Sequence, residues 1–429
     1  MFSIAYKNVV LNWRLSFAAL TAVITAFMCL ALFQGYIRGV DQIYVESFAQ
    51  RFMYGDVVLD IPTEFGDRPK IKADQQSEID QFNFSFGQEL LYTNKVLLIS
   101  GQIGNDQHNT IFSGIGYTVE PAAKIRGKEW QWNTLAGVPL DQSAEEYKVL
   151  LGRTLAEYLN CYPLSTEKYL DGYGGYSPVS RPYSCSDKDF QINVVTQLGQ
   201  MRSLDTKVVG IVDAAYKDLD KLHLSLPLKM AQLLEGTNEI SFYTLKFSAD
   251  SLMKKYMNEF NQKFVPLGLK ARTWQEHPDG EMYVKTISLL STFRNFVVLI
   301  IILVSGLSVF NSFLKIVKER TKEMGTLRSY GFSSGHLYQL IAFETVILAV
   351  VGIVIGLILS FFFCLTVNNL GILYRAGVLT EPVPFLLKPN YMHFVVSGLT
   401  ITAVSLIAAM LPLRSLLTKT ITENLNEVQ

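Results

Sequence analysis

Apolar residues are gathered into blocks along this chain rather than spread through it. Residues 15–33 (LSFAALTAVITAFMCLALF) hold no charge and lie between Arg14 and Arg38. Residues 295–314 (NFVVLIIILVSGLSVFNSFL) and 392–413 are also free of Asp, Glu, Lys and Arg, and 337–366 holds one such charge, Glu344. Each block meets the requirement of about 20 apolar residues for a spanning helix. The first is longer than the about 7–15 apolar residues of a signal peptide, and no A-x-A site follows it. It is therefore read as a retained span and not a cleaved leader.

The polar stretches between the blocks set the organisation. Residues 1–14 precede the first span (15–37), and 38–290 form one large domain. A second, stalk-like span covers 291–317, a short charged segment 318–336, and a third span 337–367. A loop at 368–390, a fourth span at 391–413 and a tail at 414–429 complete the chain. The predicted fold class is an α-helical membrane protein with four transmembrane helices, one plus three, and a large α+β extracytoplasmic domain. Short-flank Lys and Arg favour placing both termini and 318–336 in the cytoplasm, by nine residues to six.

Finer periodicities fill in the elements. Phe2, Ala5, Tyr6, Val9, Val10 and Trp13 recur at helical spacing, with Ser3, Lys7, Asn8 and Asn12 off that face. This is an amphipathic helix, expected to lie along the inner leaflet; the alternative is that it simply extends the first span. In the large domain, 55–61, 94–100, 109–119, 207–214 and 239–248 have strand composition. Residues 143–160, 226–236 and 249–264 read as helices, and 62–90 as a polar surface loop with a short helix. Phe82, Phe84, Phe86, Trp130 and Trp132 are read as core, with a lipid-contacting surface as the other reading.

No helix breaker separates 281 from 324, which predicts one helix of about 66 Å at 1.5 Å per residue. The bilayer core takes only about 30 Å of that. Glu344 lies about 10 Å into the third span, near the inner interface. An intramembrane acid is a functional candidate; a carboxylate paired with a base of 318–336 is the plainer expectation. Gly352 and Gly356 form a small-xxx-small pair suited to close helix packing.

Composition agrees with this picture and removes some chemistry. Hydrophobic residues make up 49% and charged residues 18%, with net charge +0, so no bulk attraction to nucleic acid is indicated. Cys29 and Cys364 fall inside spans, where a thiol acts as a small hydrophobe. Cys161 and Cys185 bracket a Gly/Tyr/Ser/Pro-rich loop in the oxidising compartment. They are read as a disulfide closing that loop, against two unrelated thiols. The sequence holds no P-loop and no G-x-S-x-G elbow, and its five His form no metal-ligand spacing. No catalytic residue, metal site or bound cofactor is expected.

The segment 318–340, KERTKEMGTLRSYGFSSGHLYQL, carries the most information. Burying Lys315, Lys318, Glu319, Arg320, Lys322, Glu323 and Arg328 in the bilayer would cost about 20 kcal/mol. The segment is therefore in water or docked on a soluble partner. A helix that pauses at Gly325 and ends at Gly331 is expected, followed by Ser333 or Ser334 as the N-cap of the third span. This makes a compact knob with Met324, Leu327 and Tyr330 available as apolar contacts. An ordinary solvated loop is the other reading.

ERTKEMGTLRSYGFSSGHLYQLIAFETVILAVVGIVIGLILS (319–360) resembles the signature of FtsX-like ABC transporter permeases. VLLGRTLAEYLN (149–160) and VVGIVDAAYKDLDKLHLSLPLKMAQLLEG (208–236) are similar to the external core domain of lipoprotein-releasing (LolC/LolE) and macrolide-exporter (MacB) members. FSIAYKNVVLNWRLS (2–16) looks like the start those permeases share. Residues 62–145 and the Cys161–Cys185 loop fall outside the resemblance; the loop stands where the family has a Gly-Asp turn.

The resemblance implies a mechanotransmission permease in the bacterial inner membrane, with the large domain periplasmic. It implies a second permease subunit, identical or not, and a separate ABC ATP-binding subunit that carries the ATP. The knob would be the coupling element, through Glu319, Arg320, Lys322, Glu323, Met324, Leu327 and Arg328. The long second-span helix would carry the motion outward. Lipoprotein or lipid extraction is the favoured task, and export through a periplasmic adaptor the next, with a lipoprotein or chaperone as further partners. An FtsX-like regulator of cell-wall hydrolases and an ATPase-independent scaffold or sensor are the alternatives.

Overall fold

The computed structural model of the 429-residue chain describes residues 2–11, 13–62, 69–127, 133–164, 180–187, 189–214, 216–374, 380 and 383–417. Trp130, Trp132 and residues 165–179 of the Cys161–Cys185 loop lie outside the described residues. Contacts divide the chain into two units: 1–41, 286–372 and 385–429, and 42–285 with 373–384.

The chain opens with α1 (Phe2–Leu11) and α2 (Trp13–Val45). There follow β1 (Val57–Asp60), α3 (Ala73–Ser85), β2 (Leu90–Gly104), β3 (Asn109–Tyr117), α4 (Val119–Arg126) and β4 (Thr134–Gly137). Next are β5 (Lys148–Gly152), α5 (Arg153–Tyr158), β6 (Cys161–Pro163), β7 (Tyr183–Cys185), β8 (Asp189–Val195) and β9 (Met201–Val212). Then come α6 (Lys217–Asp220), β10 (His223–Pro227), α7 (Leu228–Glu235), β11 (Phe242–Phe247), α8 (Asp250–Phe264) and β12 (Lys270–Thr273). The C-terminal part has α9 (Glu281–Glu319), α10 (Thr321–Ser329), α11 (Ser334–Asn369), β13 (Leu373–Tyr374), β14 (Val383–Pro384) and α12 (Tyr391–Leu417).

The larger unit is built on one ten-stranded mixed sheet. Within it β2, β3, β10, β5, β9 and β8 pair in succession, and β8 returns to β2, so these strands close a ring. Closure removes free strand edges. Leu97, Phe112, Leu151, Phe190, Ile192 and Leu224 fill the ring with Leu155 of α5 and Leu234 of α7. A second core lies where β1, β11 and β12 meet α3 and α8. There Phe82, Phe86, Tyr256, Phe260 and Phe264 stack at ring separations of 4.4–5.8 Å. Phe82 and Phe86 are thus core residues, whereas Phe84 is 88% exposed.

All five expected strands are present. The helix expected over 143–160 is not: its middle is β5 (Lys148–Gly152), and only Arg153–Tyr158 is helical. A continuous apolar run such as VLL fits a strand buried on both faces as well as a helix. β5 has neighbours on both sides, parallel β9 and antiparallel β10, and Val149, Leu150 and Leu151 are fully buried. The break between strand and helix depends on a distant residue. The Asp220 carboxylate accepts from the N–H groups of Arg153, Thr154 and Ala214 and from the Thr154 hydroxyl, capping α5 from outside. Similarly, 226–236 splits into the end of β10 and α7, and 62–90 holds the 13-residue α3. Cys161 and Cys185 face each other across the β6–β7 pair and are joined by a disulfide.

His223 on β10 is buried and contacts the Ser225 hydroxyl at 3.0 Å. Burial pushes its imidazole down to about 4. The unfolded chain takes up this proton near pH 6.5, so stability is complete above that pH and is lost as pH falls towards 4. The loss amounts to about 3 kcal/mol. Melting of the detergent-solubilised chain should therefore fall more steeply between pH 7 and 5 than melting of His223→Gln. Parallel pH profiles would refute the assignment.

The smaller unit gathers the apolar helices. Among the described residues, four stretches are long and apolar enough to cross a membrane: Ser16–Arg51, Pro278–Glu319, Ser334–Asn369 and Tyr391–Arg414. Gly352 and Gly356 of α11 lie against α2. A Cβ on Gly352 would stand 2.6 Å from Val23 Cγ1, and one on Gly356 would stand 2.8 Å from Phe27 Cδ1. Val23, Leu30, Phe313, Val317, Ile341, Leu348 and Leu413 form the surrounding core.

Candidate functional site

The charged segment 318–336 folds as a short helix with two unlike faces. α9 stops at Glu319, five residues before the end expected from the sequence. Arg320 leaves helical geometry at φ −102°, ψ 13°, and α10 begins at Thr321. Gly325 makes no pause, because it is buried inside α10. α10 ends in a Schellman closure: Phe332 N donates to Leu327 O at 3.1 Å and Gly331 N to Arg328 O at 3.0 Å, with Gly331 at φ +93°. Ser333 then caps α11, its hydroxyl accepting from His336 N.

Arg320 is the reason for the break. Its Nη1 donates to both oxygens of Glu344 at 3.1 Å, and its Nε donates to Glu323 Oε2 at 2.8 Å. The Arg320 and Glu344 side chains are only 8% and 5% exposed. Asn8 of α1 completes the cluster, its Nδ2 donating to Glu344 Oε1 at 2.7 Å. One carboxylate on α11 thus holds the kink after α9 and the N-terminal helix. Burial opposes the Arg320 charge, but the Glu344 and Glu323 carboxylates together outweigh it and raise the guanidinium above its ordinary value.

These contacts divide the expected coupling residues. Arg320 and Met324 are buried, Met324 at 1% exposure, so neither is a surface contact as the sequence suggested. Met324 packs in the same apolar core as Ile341, Leu348 and Val9. Glu319, Lys322 and Glu323 are exposed, and Leu327 and Arg328 half-buried. Tyr330 is 81% exposed. Intrahelical and cap bonds fix the outer face, with Ser329 Oγ bonding Thr326 O at 2.7 Å and Thr326 Oγ1 bonding Lys322 O at 2.9 Å.

Sequence reasoning missed Asn8. The periodicity put Asn8 off the apolar face of the first helix, but α1 turns Ala5, Asn8 and Val9 inward and leaves Phe2, Tyr6 and Val10 exposed. The only signal was that Ala5 and Val9 lie one turn either way of each other with Asn8 beside them.

Two of the clefts in the larger unit are wide enough for a small molecule. One of about 810 Å³ is bordered by Arg181, Tyr183, Asp189 and Lys207, and one of about 670 Å³ by Glu146, Tyr147, Lys229 and Met230. Among the described residues no group of three His, Cys, Asp or Glu is placed to hold a metal.

Residues 295–421 match the family described as FtsX-like permease C-terminal, a range that contains all of α10 and α11. The macrolide export ATP-binding/permease protein MacB of Photorhabdus laumondii is 25% identical over 182 residues. That alignment covers 40% of this chain and 27% of the relative's length. Two solved structures align with lower identity. The extracellular domain of the noncanonic ABC-type transporter YknZ from Gram-positive bacteria is 12% identical, with TM-score 0.31, covering 51% of this chain and 98% of that one. The periplasmic region of MacB from Actinobacillus actinomycetemcomitans is 14% identical, with TM-score 0.33, covering 57% and 95%.

Proposed function

We propose that this chain, an FtsX-like permease across residues 295–421, is the membrane subunit of an ABC transport complex driven by ATP hydrolysis on a separate subunit. The observation that carries the reading is the two-faced α10. Its inner face is seated on the apolar helices, and its outer face presents Lys322, Glu323, Thr326, Ser329 and Tyr330. A Tyr 81% exposed among charges, on a helix clamped at both ends, suits a protein partner. The 429 residues hold no P-loop, which suits hydrolysis on such a partner.

The outer face of α10 is then the docking surface for the ATP-binding subunit, in the cytoplasm of a bacterial inner membrane. The larger unit lies outside it and works on extracytoplasmic cargo, in a pair with a second permease. Lipoprotein or lipid extraction is the favoured task. Export through a periplasmic adaptor is the second, favoured by the likeness to a macrolide exporter.

Docking has a direct test. Glu319→Lys combined with Tyr330→Ala should leave membrane insertion and melting unchanged. It should cut co-purification of the ATP-binding subunit about tenfold or more, as expected for the loss of a hot-spot aromatic. Unchanged co-purification would overturn the docking assignment. If the wild-type chain captures no ATP-binding protein, the permease reading itself fails.

A further inference from the structure

The resemblance implied that the long second-span helix carries the motion outward. The structure adds a second connection. α9 ends before the kink, and the kink residue spends its side chain on α10 and α11 and not on α9. We propose that Arg320, Glu344 and Asn8 form a buried polar joint that makes α10, α11 and α1 move as one body, so that force on the outer face of α10 enters the membrane through α11. This rests on the docking reading above for the source of the force; the joint itself is a property of this chain alone.

The geometry supports a joint over an incidental pair. A guanidinium cannot shed its proton, so inside the protein it must keep its partners. Arg320 has its Nη1 on both carboxylate oxygens of one acid and its Nε on another, which fixes the orientation of the fork. Sliding α10 along α11 by even a fraction of a turn would leave a buried charge unpaired. Such a contact resists gradual shear: it holds, or it breaks outright. Met324 adds an apolar peg from α10 into the same core, which includes Ile341 of α11 and Val9 of α1 as well as Phe313, Ile316 and Val317 of α9. Glu323 bridges the two sides of the site, since its side chain is 62% exposed yet bonded to Arg320. A partner that grips Glu323 therefore pulls directly on the joint. Asn8 and Glu344 are positioning residues: neither lies on the exposed face, and both act through Arg320.

The experiment uses the full chain reconstituted with its ATP-binding subunit, and compares Arg320→Met/Glu344→Leu with wild type. The paired change keeps the site filled and leaves no orphan charge, so the chain should fold, insert and co-purify with the subunit as before. ATP turnover coupled to the complex should fall about tenfold, a typical size for a lost coupling contact.

A second readout separates positioning from mere stability. Spin labels at Thr326→Cys on α10 and Gln339→Cys on α11, with Cys29 and Cys364 replaced by alanine, in a chain confirmed to retain the ATP-binding subunit, report the distance across the joint. Wild type should give one narrow distribution, the same with and without ATP; the paired variant should broaden it. A wild-type distance that changes on ATP addition would overturn the proposal, as would a paired variant that keeps full turnover and a narrow distribution. If no ATP-binding subunit associates, the labels still test the joint in the chain alone, and only the docking reading falls.

Discussion

Glu344→Leu should lower the stability of the detergent-solubilised chain by about 3–5 kcal/mol. The change removes both acceptors of Arg320 Nη1 and the acceptor of Asn8 Nδ2 at once. The guanidinium stays charged and keeps only Glu323, which is mostly in water. To rehydrate, Arg320 must swing outward, and this lifts the start of α10 from its seat. Proteolysis between 318 and 333 should accelerate with it. Arg320→Met/Glu344→Leu should recover most of the loss, because an apolar pair of similar volume removes the orphan charge. A single variant within about 1 kcal/mol of wild type would show that the cluster is hydrated and that its burial has been overread.

Gly352→Leu should cost about 1–3 kcal/mol or more by overpacking, and should separate α2 from α11. A bare Cβ already falls 2.6 Å from Val23 Cγ1, so the longer side chain has no rotamer that avoids α2. Val23→Ala in the same chain should return part of the loss. At Gly356, even alanine forces the Phe27 ring to shift, since its Cβ would lie 2.8 Å from Cδ1. Gly335→Ala serves as the control: the nearest atom to its Cβ is Ser333 Oγ at 3.7 Å. Equal melting of Gly352→Leu and the control would mean that the two helices do not approach as closely as described.

The two units of this chain differ in how far their sequences could be read. The apolar helices were legible because a bilayer imposes a length and a composition on each span by itself, with no reference to distant residues. The Gly352–Gly356 spacing, the Ser333 cap and the end of α10 at Gly331 were legible for a similar reason, since each is a local rule of helix geometry. In the larger unit, strands with a clear composition were found, but 143–160 was assigned as one helix. What divides it is the pairing of β5 with two strands remote in sequence and the Asp220 cap, neither of which leaves a local trace.

The charged segment shows the same limit at the level of function. The seven charges of 315–328 and the cost of burying them argue that this stretch stands outside the bilayer. Which charges face a partner and which face the protein was decided by the tertiary structure. Arg320 and Lys322 are indistinguishable as members of a basic cluster, yet one is 6% exposed as a residue and the other is on the surface. The difference is that a carboxylate on α11, 24 residues away, lies within reach of Arg320, and an amide from α1 secures that carboxylate from 336 residues away. Charge and hydropathy are properties of a residue and can be read along the chain. A buried ion pair is a property of two positions, and it exists only once the helices that carry them have packed.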